Sequence, residues 1–335
     1  MQGAAHMSLA EVARESGVAV STVSRYVRGE LRVSPDTAKR IDRALQKGGH
    51  TRAERTPHDL CVGLVVPSLD NPYFAALADA VVDAAAADGV EVLTTLTGSS
   101  AARERTGVDR LARTPAVTGI IYLGMNSTNE AFSGRIGEEL PVVFLDEFVQ
   151  ARGQRIARVT ADSFGGAYQA TTHLLSIGHR RVAHLGGPRG LVTADQREAG
   201  YRAALADHGV EAQEQLIVRG PYSADLGMNF FAHMSRSTTT PTAVFSASDI
   251  AAIGVLEAAR RAAIPIPEEL SVIGCDGITL GDWTTPRLTT VAQPTETMAR
   301  RALDEVRRLI DGAEPQDHLL SMRLQLREST RPVSS

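Results

Sequence analysis

The sequence predicts an α/β protein in two unequal parts: a small all-α helix-turn-helix headpiece, then a larger two-lobed body with parallel sheets. Three observations carry this. Before residue 50 the apolar residues keep a helical period and show no strand signal. From Leu60 onward, short β-branched runs alternate with helical stretches, the rhythm of parallel sheets covered by helices on both faces. About six to eight such runs over roughly 270 residues exceed what one compact sheet needs, so two lobes are expected.

In the headpiece, Ser8 and Glu11 have capping-box spacing, and Leu9, Val12 and Ala13 form the inward stripe of a first helix. Gly17 supplies the turn. "GVAVSTVSRYVRG" (residues 17–29) follows as a second helix, with Val20, Val23 and Val27 on one side and Ser21, Arg25 and Arg28 on the other. Gly29 closes it, and Ser34-Pro35 opens a third helix with Ala38, Ile41, Ala44 and Leu45 inward. Two short helices about a glycine turn read as helix-turn-helix. The second helix of that motif enters the major groove, where an arginine grips guanine through two hydrogen bonds. The alternative is a set of helices that packs on the larger body. A face of Ser21, Arg25 and Arg28 is a poor packing surface and a suitable groove surface.

In the body, "LCVGLVVP" is a buried strand, and a helix runs from about Pro72 to Asp88. "VEVLTTL", "GIIYLG", "PVVFLD", "RVAHLGGP", "PTAVFSASD" and "LSVIGCDG" continue the series. Ligands of such sheets bind beyond the carboxyl ends of the strands. The polar loops there are Ser68 to Asn71, Asp146, Gly186 to Pro188, Ser248-Asp249 and Asp276.

Composition narrows the classes. At 335 residues, with 43% hydrophobic and 22% charged side chains, the chain is that of a soluble globular protein. It has no apolar run near the roughly 18 residues of a membrane span and no signal-peptide core, which predicts a cytoplasmic protein with no membrane partner. Cys61 and Cys275, the only cysteines, read as free thiols. Residues 1–60 hold ten basic and seven acidic side chains, so that segment stands near +3 within a chain of −4. A small basic module on an acidic body fits polyanion binding by the first part alone.

These pieces in this order resemble the lac repressor and galactose repressor family of bacterial transcription regulators, over about residues 8–331. The stretches that carry the resemblance include "SLAEVARESGVAVSTVSRYVRG", "VGLVVPSLDNPYFAAL", "HLLSIGHRRVAHLGGP", "REAGYRAAL", "SDIAAIGVLEAARRAAIPIPEELSVIGCDG" and "PRLTTVAQP". The resemblance implies a DNA-binding headpiece over residues 1–48, a linker over 49–59, and an effector-binding and dimerisation core over 60–331. That core is expected to be two-lobed, like periplasmic sugar-binding proteins, with a small effector in the interlobe cleft. It further implies a homodimer that binds double-stranded operator DNA, most simply as a repressor, with no cofactor.

Matched residue by residue, Val20, Ser21 and Arg25 face bases, with Thr22 and Ser24 near the backbone and Arg28 on the same side. Val20 is claimed both by the inward stripe and by the base-facing set. Ala19 stands where the family usually has a helix-capping serine. Between headpiece and core, "KGGHTRAERTPHDLCVGL" lacks the leucine of the family's hinge helix, and Gly48, Gly49 and Pro57 discourage helix, so a flexible tether is expected there. In the cleft the resemblance places Ser68, Tyr73, Phe74, Asp146, Thr193, Arg197, Tyr222, Asp249, Asp276 and Trp283. Aromatic faces beside carboxylates and a guanidinium suit a carbohydrate first and a nucleobase or nucleoside second.

Other classes fit less well. "HLGGPRGLVTAD" is glycine-rich but carries neither nucleotide-loop pattern, and His173, His179 and His184 have no zinc-site spacing. No nucleophile triad or carboxylate pair stands out, so no enzyme is expected. A secreted solute-binding protein has no use for residues 8–47. The C-terminal "RESTRPVSS" has no leucine heptads, which favours a dimer over a tetramer.

Overall fold

The computed structural model describes residues 7–27, 31, 33–48, 60–125, 136–149, 151, 153–234 and 239–333. The chain divides into two compact units, Met1–Leu60 and Cys61–Ser335.

The first unit holds α1 (Leu9–Ser16), α2 (Val20–Val27) and α3 (Pro35–Lys47). Ser8 and Glu11 close the capping box at the start of α1: the Glu11 carboxylate accepts from the Ser8 backbone N–H at 2.7 Å. Gly17 ends the helix at φ 70°, a conformation that costs glycine little. Val12, Ala13, Val23, Tyr26, Ile41, Ala44 and Leu45 form the core. The inward side of α2 therefore differs from the valine stripe read in the sequence. Val20 is 48% exposed, and Tyr26 is buried with Val23. The reason is positional: Val20 is the first residue of α2 and takes no part in that core. Tyr26 is the penultimate residue of α2 and donates its phenol O–H to Asp42 of α3 at 3.1 Å. The flexible tether (49–59) and the closing Gly29 lie outside the described residues.

The second unit contains two sheets of six strands each among the described residues. In chain order its elements are β1 (Cys61–Val66), α4 (Pro72–Ala87), β2 (Glu91–Leu96), α5 (Ala101–Arg113), β3 (Val117–Tyr122), β4 (Val142–Leu145), β5 (Ile156–Ala161), α6 (Ser163–Ser176), β6 (Val182–Gly186), α7 (Val192–Asp207), β7 (Ile217–Arg219), α8 (Ala224–Met228), α9 (Phe230–Met234), β8 (Ala243–Ser246), α10 (Asp249–Arg261), β9 (Ser271–Asp276), β10 (Thr289–Ala292), α11 (Thr295–Ile310), β11 (His318–Leu320) and β12 (Arg323–Gln325).

The sheets run β2-β1-β3-β4-β5-β11 and β7-β6-β8-β9-β10-β12, so each lobe repeats the other's doubly wound order. Every pairing is parallel except β10 with β12. Each lobe has its own apolar core, with Val65, Ile120, Tyr122 and Phe144 in the first and Leu185, Val244, Val272 and Leu288 in the second. The chain crosses between lobes three times: from β5 to α6, from β10 to α11 (which packs on α4, β3, β4 and β5), and from β11 to β12. No helix of the described residues is long and apolar enough to cross a membrane.

Candidate functional site

Two surfaces answer to the residues singled out in the sequence, one in each unit. In the first unit, Ser21 and Arg25 are exposed on α2 beside Val20, and Thr22 and Ser24 are half-buried at the edges of that face. Arg28 lies outside the described residues. The face thus offers hydroxyls, one guanidinium and an exposed valine, which can read a thymine methyl. Ala19 accepts from the Thr22 and Val23 N–H groups through its carbonyl but brings no side-chain oxygen to the helix start. Ala19→Ser is therefore expected to add a cap and slow amide exchange at Ser21 and Thr22 by about twofold to fivefold. Unchanged exchange there would mean that the added hydroxyl accepts nothing.

In the second unit, a cleft lies between the lobes at the carboxyl ends of both sheets. Its lining comprises Asn71, Tyr73, Phe74, Met125, Asp146, Glu147, Leu191, Thr193, Arg197, Tyr222 and Asp276. Asn71, Tyr73 and Phe74 come from the start of α4, where the Asn71 side chain accepts from the Tyr73 N–H at 3.1 Å. Pro72 holds the first helical position.

Asp146 and Asp276 occupy equivalent strand ends in the two lobes, after β4 and at the end of β9. Both have positive φ, 76° and 127°, in the region L side chains rarely adopt. Such strain collects where backbone geometry serves a site. The Tyr73 phenol donates to Asp146 Oδ1 at 2.6 Å. Arg197, on α7 and 3% exposed, donates from Nη1 to Asp276 Oδ1 at 3.3 Å and to the Ala247 carbonyl, and from Nε to Ser163 Oγ at 3.4 Å. Gln293 adds a second donor to Asp276 Oδ1 at 3.0 Å. The Arg197 guanidinium lies 5.9 Å from the Tyr222 ring centre, and the buried Tyr222 hydroxyl has no hydrogen-bond partner among the described residues. That ring is admitted because Gly187 leaves room for it; a Cβ at 187 would run into the phenol.

Burial pushes the Asp146, Glu147 and Asp276 carboxyls above their usual range, Asp276 to about 7, while Arg197 works in the opposite direction on Asp146 and Asp276. The cleft is therefore a set of acceptors and one fixed cation between aromatic faces, suited to bind a polar molecule.

Of the ten cleft residues expected from the sequence, the structure brings seven together: Tyr73, Phe74, Asp146, Thr193, Arg197, Tyr222 and Asp276. Ser68, Asp249 and Trp283 are outside the lining. Ser68 turns its hydroxyl to its own loop and accepts from the Asp70 N–H at 3.0 Å. Asp249 is fully buried and spent on protein donors: Gly277 N at 2.7 Å, Ile278 N at 2.9 Å and Thr290 Oγ1 at 2.6 Å. It braces the turn that carries Asp276, and Gly274 leaves the space its carboxylate fills. Trp283 is 76% exposed, beyond a short 3₁₀ turn at Thr279–Asp282.

Sequence reasoning left out Asn71, Met125, Glu147 and Leu191 as site residues. Asn71 carries a helix-start signal that hides its second role. Met125 and Leu191 have no signal beyond their place after a strand. Among the described residues, no group of three or more His, Cys, Asp or Glu is arranged to hold a metal ion.

Comparison with known proteins agrees with this architecture. The family model for bacterial regulatory proteins of the lacI family matches residues 8–52, and that for a periplasmic binding protein-like domain matches residues 171–330. The HTH-type transcriptional repressor CytR of Escherichia coli is 29% identical over 97% of this chain and 97% of its own. The HTH-type transcriptional regulator CelR of Thermobifida fusca is 30% identical over 96% and 98%. Among solved structures, a complex of the transcriptional regulator CelR with cellobiose has a TM-score of 0.74 at 30% identity, covering 96% of this chain and 99% of that one. A LacI family transcriptional regulator from Enterococcus faecium with bound ribose has a TM-score of 0.69 at 25% identity, covering 82% and 100%. With a headpiece and a two-lobed body in one order, and a relative 30% identical along nearly its whole length, this chain belongs to the lacI family of bacterial regulatory proteins, DNA-binding regulators of transcription.

Proposed function

We propose that this protein is an effector-controlled repressor, in which α2 reads operator DNA and a small carbohydrate bound in the interlobe cleft sets operator affinity. The observation that carries the ligand assignment is the cleft itself: Tyr73, Phe74 and Tyr222 beside the acceptors Asp146 and Asp276 and the fixed Arg197. Aromatic faces receive the C–H faces of a sugar, and carboxylates accept from its hydroxyls. CelR with cellobiose and the E. faecium regulator with ribose support the sugar reading by their likeness to this chain. On the DNA side, Val20, Ser21 and Arg25 contact bases while Thr22, Ser24 and Arg28 hold the phosphate backbone. Two copies form a homodimer, so the operator is a near-palindrome with two half-sites.

The ligand acts through its preference between cleft arrangements, and its effect on DNA binding is no larger than that preference. A thermal-unfolding screen of neutral mono- and disaccharides against nucleosides and nucleobases tests the assignment. At least one sugar is expected to stabilise the protein, by about 2.7 kcal/mol at a hundredfold excess over Kd. Stabilisation by a nucleoside or nucleobase and by no sugar would overturn it.

A further inference from the structure

Glu147 is the cleft residue whose bonds cross from one lobe to the other. It follows Asp146 at the end of β4, in the first lobe. Its Oε2 accepts from Thr193 Oγ1 at 2.6 Å, and its Oε1 from the Thr193 backbone N–H at 3.3 Å. Thr193 is in the first turn of α7, in the second lobe. Both residues are buried, Glu147 at 4% and Thr193 at 7% exposed. Oε1 also accepts from the Phe148 N–H at 2.9 Å, which fixes the carboxylate's direction.

Two features mark this contact as more than a chance neighbour. First, α7 has no cap of its own. Its N-cap residue is Leu191, which has no side-chain oxygen, whereas Ser248 caps α10, which follows β8 in the same lobe, from within its own chain segment. Glu147 meets the α7 amide from the opposite lobe, placing a carboxylate at the positive end of a 16-residue helix dipole. Second, the backbone is bent to bring it there. Successive side chains of a regular strand point to opposite faces. The positive φ of Asp146 breaks that alternation, so Asp146 and Glu147 both line the cleft. The equivalent position after Asp276 in the second lobe is Gly277, so the device is built into one lobe only.

We propose that Glu147 is a latch: by capping α7 from the opposite lobe, it stabilises the closed arrangement of the cleft. Opening the cleft uncaps α7, so this contact favours the closed arrangement over the open one. The inference concerns the empty cleft and holds whatever that cleft binds. Its failure would leave the effector reading untouched, and the converse is equally true.

Hydrogen exchange and solution scattering of the ligand-free, full-length protein test it. Glu147→Ala is expected to speed exchange of the α7 first-turn amides roughly tenfold, as loss of hydrogen bonds to a charged group predicts. The radius of gyration should rise, and the first turn of α10 should exchange as before. Glu147→Gln keeps the side chain's size and an acceptor oxygen but loses the charge, so a smaller change in the same two readouts is expected. It decides the matter if Glu147→Ala does not fold. Wild-type exchange at α7 and an unchanged radius in the folded variants would overturn the latch. So would faster exchange spread evenly over both lobes, the sign of a general packing defect.

Discussion

Arg25→Ala is expected to weaken binding to the protein's operator by about 1–3 kcal/mol, a loss of roughly fivefold to 150-fold in affinity. The side chain is exposed on α2, and the residues that hold that helix to its neighbours are Val23 and Tyr26. Truncation at position 25 therefore removes the proposed DNA contact and leaves the packing of the first unit intact. The operator is obtained by selection from a pool of random duplexes, and affinity is measured by anisotropy at fixed salt. A base contact predicts that the variant's selected sequences lose their preference at one position per half-site. Its salt dependence would then stay that of the wild type, because counterion release follows phosphate contacts. A phosphate contact predicts a uniform loss across sequences and a salt slope smaller by about one. Unchanged affinity with an unchanged base profile would remove Arg25 from the interface and leave α2 without a reader of guanine.

Much of this molecule was legible in its sequence, and the gaps have physical causes. The capping box at Ser8 and Glu11 and the glycine turn at Gly17 are local, so spacing alone finds them. The valine stripe was only half right, because Tyr26 pairs an apolar ring with a hydroxyl that needs a partner. Its partner, Asp42, comes from another helix. In the body, long buried strands such as β1 and β3 announce themselves as apolar runs. The series read in the sequence also passes over β5 and β10, and the three-residue strands β7, β11 and β12 are too short to show a period, so the six to eight strands expected became twelve among the described residues.

Asp146 and Asp276 could be placed at the cleft because strand ends are where parallel sheets bind ligands. Glu147 could not, since strand alternation points it away and positive φ at an aspartate leaves no mark in the sequence. Asp249 shows the opposite error. A carboxylate at the start of α10 looks available to a ligand until the structure shows Gly277, Ile278 and Thr290 using its acceptors.

The largest effect is expected from Arg197→Ala. The guanidinium is buried against Asp276, the Ala247 carbonyl and Ser163, with Tyr222 beside it. Removing it leaves two buried carboxylates, Asp146 and Asp276, without their cation. Breaking a buried pair from one side costs about 3–5 kcal/mol, because the remaining charge stays desolvated. The second unit should unfold at a markedly lower temperature, and the stabilisation given by the sugar identified in the screen should vanish. Arg197→Lys separates the two consequences. It restores a positive charge, so much of the lost stability should return. It lacks the planar fork whose Nε donates to Ser163 while Nη1 donates to Asp276 and Ala247 beside Tyr222, so the response to sugar should stay lost. Operator binding by Arg197→Lys should be retained, because the first unit that carries α2 has its own core. A lysine variant that still responds fully to the sugar would show that Arg197 balances charge in the fold and takes no part in recognition.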